Sequence, residues 1–402
     1  ELAAAEAAAG AASPRYARLT RAAPVRFSEL RSHFLDGGTM LLEYALGREQ
    51  SWMWAVTPET VDVYELPPRE EIETAARTMA ERLRRPDASD PEEQAALAVL
   101  SRMLLGPVAG RLPERVLVVP DGALHYVPFA ALPVPGSEQP LIAEHEVVHL
   151  PSAATLSMLR RDRRTDDSRG AVAVLADPVF TVDDPRVGRA RLANAAPRAG
   201  AERSGDEAQR FERLPWTRRE AEAILAQAAG KPVLSALDFD ADLRTALSPE
   251  LRRYRIVHFA THGVLDSRRP ALSGLVLSLV DRDGKPRDGF LRLQEVYGMD
   301  LDADLVVLSG CETALGREMR GEGLTGLTRG FFSAGTSRVI ASLWRVEDRA
   351  TAELMTRFYH GLLAEGRRPA EALRSAQVSM WREKRWRDPY FWAAFTIQGD
   401  WR

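Results

Sequence analysis

Cysteine is almost absent from this chain, with Cys311 alone in 402 residues. An internal disulfide and a thiolate-built zinc site each need at least two thiols, so both are excluded. Lysine is nearly as scarce: Lys231, Lys285 and Lys384 stand among 54 basic residues, so the basic side chains are overwhelmingly arginine, a bias of genomic base composition. Charge of one sign is also missing, because 57 acidic residues leave a formal net charge of -3. Whole-molecule electrostatics therefore draws the chain neither to nucleic acid nor to an anionic membrane. No apolar run approaches the roughly 18 residues of a membrane-spanning helix, and no basic-then-apolar signal pattern opens the sequence. The expectation is a soluble, cytoplasmic protein without cofactor, metal, nucleic-acid or membrane partner.

What is present is core-forming material for more than one small domain, since 402 residues correspond to two or three folded units. Residues 1–23 are Ala- and Arg-rich and begin without methionine, which reads as the end of an upstream helical region or a linker in a longer protein. Residues 24–168 read as a smaller α/β unit. Period-two alternation from Leu41 through Leu66 predicts an antiparallel meander, helices follow near 69–85 and 91–105, and Arg115–Pro120 and His145–Leu150 read as buried strands. The charged run Arg160–Arg169 has no apolar periodicity and is the expected linker. Residues 169–402 alternate apolar strands with amphipathic helices, the pattern of a mostly parallel sheet covered on both faces. Thr217 and Glu220 are spaced as a capping box opening one of these helices.

Two strand ends hold nucleophile chemistry. The strand 254–260 runs into Thr261-His262-Gly263, and the strand 304–309 runs into Gly310-Cys311-Glu312. If these strands are neighbours, imidazole and thiol emerge at one sheet edge, where a histidine can convert a weakly nucleophilic thiol to thiolate. Flanking glycines leave backbone N–H groups open for an oxyanion. The bland readings are a small buried cysteine and a satisfied turn histidine. Gly321, Gly323 and Gly326 match a G-x-G-x-x-G fingerprint but do not follow a strand directly. His258 and His262 lie four strand positions apart, about 13 Å and too far to share an ion. No G-x-S-x-G elbow is present.

The ordered motifs A-T-H-G, V-V-L-S-G-C-E-T-A-L-G, G-E-G-L-T-G-L-T-R-G-F-F-S-A-G and S-L-W-R-V-E-D-R-A-T resemble the CHAT family of caspase-like proteases, as do P-D-G-A-L-H-Y-V-P-F-A-A-L and L-P-S-A-A. The resemblance covers residues 110–402 and more loosely begins at 24. It implies a three-layer α/β/α caspase-like fold with a mostly parallel central sheet, preceded by a smaller α/β subdomain, with the strands 171–176, 232–235, 254–260 and 304–309 as the first four. It further implies a cysteine endopeptidase with Cys311 as nucleophile, His262 as general acid/base, and the N–H groups of Gly263 and Cys311 receiving the oxyanion. Asp348 and Asp177, with Trp344, are expected at the substrate pocket, where acids favour arginine and then lysine before the scissile bond. Asp348 also reads as an N-cap and Asp177 as part of an Asp-Pro turn. Glu322 is expected either to accept backbone N–H groups of the cysteine loop or to sit at a helix start. Implied partners are a protein substrate, a gasdermin-like or other defence effector among them, and an upstream tetratricopeptide repeat region that gates activity; bacterial relatives act in defence and regulated cell death. A catalytically inert caspase-like scaffold that binds partner proteins is the alternative.

Overall fold

The computed structural model describes residues 26–84, 91–161, 169–188, 211–264, 273–310 and 322–402. The expected meander is present as β1 (Thr39–Ala45), β2 (Ser51–Val56) and β3 (Val61–Leu66), followed by helices α1 (Arg69–Arg82) and α2 (Pro91–Leu105). Strands β4 (Arg115–Val119) and β5 (Glu146–His149) then lead to α3 (Ala153–Arg161). Two short 3-10 turns, Gly122–Tyr126 and Phe129–Ala131, follow β4. After the linker come β6 (Gly170–Ala176), α4 (Pro215–Gln227), β7 (Val233–Leu237) and β8 (Tyr254–Ala260). Three short strands, β9 (Gly263–Val264), β10 (Gly274–Val276) and β11 (Phe290–Arg292), form a side sheet. The chain continues through α5 (Leu293–Gly298), β12 (Leu305–Leu308), α6 (Glu322–Ser333), β13 (Arg338–Ser342), α7 (Asp348–Tyr359), α8 (Pro369–Arg382) and β14 (Phe395–Gly399).

Eleven strands form one sheet in the order β3-β2-β1-β4-β5-β14-β13-β12-β8-β6-β7. β6, β7, β8, β12 and β13 run parallel, and β14 returns antiparallel to β13. Every residue of β6 is buried, which is why its sequence reads as an unbroken apolar run and not as alternation. Adjacent residues of β8 show that both faces are covered. Phe259 meets Phe331 of α6, whereas His258 meets Tyr359 of α7, and successive strand side chains point to opposite faces. The layers are therefore helix, sheet and helix.

The last strand joins the two expected units. β14 lies between β5 of the first and β13 of the second, parallel to one and antiparallel to the other. One continuous cluster of buried apolar residues runs through both, from Leu41 and Phe129 to Val257 and Phe395. Residues 162–168 of the expected linker lie outside the described residues, but an arginine on each side is held: Arg160 Nε donates to Asp400 Oδ1 at 3.0 Å, and Arg169 Nη2 donates to Asp304 Oδ1 at 2.9 Å.

One local expectation is overturned. Pro215 occupies the first turn of α4 and Leu214 is its N-cap, so the helix starts earlier than a Thr217 cap requires. Thr217 Oγ1 donates to Leu214 O at 2.7 Å, and Glu220 is fully buried instead of reaching back to a cap.

Because β14 completes a sheet shared by both units, residues 26–402 should unfold in one cooperative step. Phe395→Ala, which removes a ring only 1% exposed on β14, should cost about 3–5 kcal/mol in urea unfolding. Two separated transitions in the wild type would contradict the shared core.

Candidate active site

β8 and β12 are hydrogen-bonded neighbours in register, with Phe259 opposite Leu308, so their carboxyl ends leave the sheet side by side. Ligands in such sheets sit beyond those ends. Thr261-His262-Gly263 follows the first strand and Ser309-Gly310 the second; Cys311, the next residue, lies outside the described residues. The two turns touch closely. A Cβ on Gly310 would stand 2.1 Å from Thr261 O, so glycine is what allows the approach. Gly263 N–H donates to Gly310 O at 3.2 Å. This differs from its expected role as an oxyanion donor, because the group already has a backbone acceptor.

His262 is 3% exposed and packs against two aromatic rings that also touch each other, Phe180 at 5.2 Å and Phe211 at 5.5 Å between centroids. Its Nε2 is 2.7 Å from the main-chain carbonyl oxygen of Glu212. A carbonyl oxygen only accepts, so Nε2 carries the proton and Nδ1 carries the lone pair of the neutral ring. The imidazole thus has a defined basic nitrogen. Nothing in the side-chain pattern pointed to Glu212, since its contribution is a backbone group that every residue possesses.

Beside His262 lies a cavity of about 240 Å³, lined among others by Leu214, Ser309, Ser342, Asp348 and Tyr390. Asp348 is the first residue of α7, not its cap, and its Oδ2 accepts from Trp216 N–H at 2.8 Å, so the carboxylate caps the neighbouring helix α4. Among the described residues no cation forms an ion pair with it. Burial, followed by the charges of Glu220, Asp177 and Glu347, outweighs the Trp216 hydrogen bond and raises its pKa to about 6.

Asp177 has a different environment. It follows β6 at φ 50, in the left-handed region that aspartate tolerates better than most residues, and its carboxylate is wholly buried. Arg213 donates to both of its oxygens, at 2.8 and 2.7 Å, and Arg186 approaches Oδ2 at 3.0 Å. Its lone pairs are taken by the protein's own guanidinium groups, and it is not among the cavity-lining residues. Trp344 is also absent from that lining; it is 4% exposed and packs in the core, with Nε1 donating to Tyr390 O at 3.1 Å. Glu322 opens α6, a helix-start position.

Behind the cavity lies a polar group that patterning did not reveal. His258 Nδ1 is 3.0 Å from Tyr359 Oη, and its Nε2 is 3.2 Å from Ser309 Oγ. Glu220 Oε1 stands 2.8 Å from the same Nε2, outside the direction of a well-formed hydrogen bond. His258, Glu220 and Tyr359 are completely buried. The network connects α4 and α7 to Ser309 at the root of the cysteine turn.

Gly310→Ala should lower stability by about 1–3 kcal/mol, because backbone atoms of Thr261 must move to admit the methyl group. A variant as stable as wild type in urea would mean that the two turns are not in contact.

Sequence and fold comparisons agree with this architecture. The CHAT domain profile matches residues 94–400. Tetratricopeptide repeat protein 28 of Mus musculus is 25% identical over 334 residues, 73% of this chain and 12% of that protein. The Homo sapiens protein of the same name matches with the same identity and coverage. This chain therefore spans a small fraction of the length of these relatives. The Saccharomyces cerevisiae separase in its complex with securin superposes with a TM-score of 0.59 at 10% identity, covering 96% of this chain and 31% of that one, so the two share a fold. The three-layer architecture is that of the caspase-like proteases, and the chain belongs to the CHAT domain family.

Proposed function

We propose that this chain is a cysteine endopeptidase that cleaves protein substrates after arginine, and more weakly after lysine. The observation that carries the reading is the juxtaposition, at one sheet edge, of a buried oriented His262, the Ser309–Gly310 root of the cysteine turn, and a cavity bearing Asp348, which has no ion-pair partner among the described residues. In the proposed reaction Nδ1 of His262 takes the Cys311 thiol proton and the thiolate attacks the scissile carbonyl carbon. The C–N bond then breaks as the imidazolium returns the proton to the leaving amine. Water, activated by the same nitrogen, hydrolyses the resulting thioester and regenerates the thiol.

Asp348 supplies the specificity in this reading. A desolvated carboxylate without a cation of its own is stabilised by a guanidinium, which can donate two parallel hydrogen bonds, and less by an ammonium. Gating by an upstream repeat region accords with the relatives being tetratricopeptide repeat proteins. Use in defence or regulated cell death, with a gasdermin-like or other effector as substrate, follows from the family resemblance alone.

Cys311→Ala and His262→Ala should each abolish hydrolysis of an arginine peptide, and the double variant should lose no more than either, because thiolate and base act as one unit. An arginine peptide bearing an electrophile should label Cys311 much faster than it labels free cysteine; labelling at the free-cysteine rate would favour the inert scaffold.

The raised pKa of Asp348 predicts the pH dependence of selectivity. The ionised form binds a cationic side chain, so arginine preference is complete above about pH 6 and is lost as pH falls through that value. The ratio of kcat/KM for arginine against a neutral residue at the cleavage position should therefore fall about tenfold per pH unit at lower pH. Asp348→Asn should show a small, pH-independent ratio. Selection for aspartate by the wild type would place the pocket elsewhere.

A further inference from the structure

We infer that Arg213 is a positioning residue for His262, acting through Asp177 and the main-chain carbonyl of Glu212. The inference deepens the peptidase reading and rests on it for its kinetic consequences. Three observations form the chain. Asp177 is immobilised at the end of β6, buried, with its main-chain carbonyl accepting from Arg186 Nη1 at 2.7 Å. Arg213 grips both carboxylate oxygens of Asp177 through Nε and Nη2, which fixes the plane of the guanidinium as well as its distance. The preceding peptide carbonyl, that of Glu212, accepts the His262 Nε2 proton at 2.7 Å.

Charge neutralisation does not by itself require Arg213. When Arg213 is removed, Asp177 keeps Arg186 at 3.0 Å and has Arg218 at 3.8 Å, while Asp238 keeps both Arg186 and Arg218 at 2.7 Å. Nor does Arg213 bury much surface, since its side chain is 40% exposed. Its particular contribution is to locate the segment 211–214, whose first side chain packs on the imidazole and whose second carbonyl defines the tautomer. Removing the partner that orients a metal-ligating histidine costs about 10- to 100-fold, and a loss of the same order is expected here. Asp177 accordingly acts on the base and not on the substrate's basic side chain.

The test follows the His262 ring nitrogens directly. With 15N-labelled histidine at about pH 8, where a free imidazole is neutral, the wild type should show the Nε2–H tautomer. Arg213→Ala should show a mixture of both tautomers, and Asp177→Asn should shift the same way. Arg213→Lys, which retains a cation but not the two-pronged grip, should lie between and serves if the alanine variant fails to fold. Kinetically, Arg213→Ala should lower kcat about 10- to 100-fold on an arginine peptide with KM little changed. A wild-type ring without the Nε2–H tautomer, or folded Arg213 variants with the wild-type tautomer, would overturn the inference. Faster hydrolysis by Arg213→Ala would do so too, since Arg213 would then obstruct the cleft. If no form hydrolyses any basic peptide, the peptidase reading falls while the nitrogen spectra still decide the role of Arg213.

Discussion

The parallel pairing of β8 with β12 in the interior of the sheet is the constraint from which the candidate site follows. It fixes where His262 and Ser309–Gly310 leave the sheet, and it does so with close-packed strands whose side chains are almost all buried. Such an interior yields little to local strain. The two turns can meet only because Gly310 lacks a Cβ, and their contact is closed by the Gly263 N–H on the Gly310 carbonyl. The cavity beside them is bounded by groups from β13, α7 and α4, so it exists only once the neighbouring strand and its helices have docked.

Two carboxylates at the same end of the sheet have opposite electrostatic fates. Asp177 is saturated by Arg213 and Arg186. Asp348 stands at the N-terminus of its own helix and accepts from the second residue of another, two influences that favour a negative charge. Burial and the surrounding acids nevertheless prevail and raise its pKa. A carboxylate in that condition gains from any cation admitted to the cavity. The difference between the two residues lies in their partners, because their intrinsic chemistry is the same.

The sheet also accounts for the extent of the cooperative unit. β14 is the last strand in sequence and one of the middle strands in space, so folding of the first unit's edge at β5 is completed by residues more than two hundred positions away. Arg160, at the end of α3, reinforces the same seam through Asp400. The family profile likewise begins inside α2 and crosses both units.

Much of this was legible in the amino-acid sequence because it depends on local or periodic chemistry. The meander, the buried parallel strands, His262 just past β8 and Asp348 at the helix start that follows β13 are legible from hydrophobic period and from motif order. The start of α4 was misread because Thr217 and Glu220 have the spacing of a cap, whereas Pro215 starts the helix earlier and Asp348, distant in sequence, caps it from outside. The Glu212 carbonyl was invisible because a backbone acceptor has no residue signature, and so was the Tyr390 carbonyl that takes the Trp344 indole N–H and holds that side chain in the core. Sequence by itself determined which residues carry reactive groups and on which strand each sits. Tertiary structure decided which of those groups are satisfied internally and which are left facing the cavity, since that depends on charges and backbone groups brought from other elements into a medium with too little water to screen them.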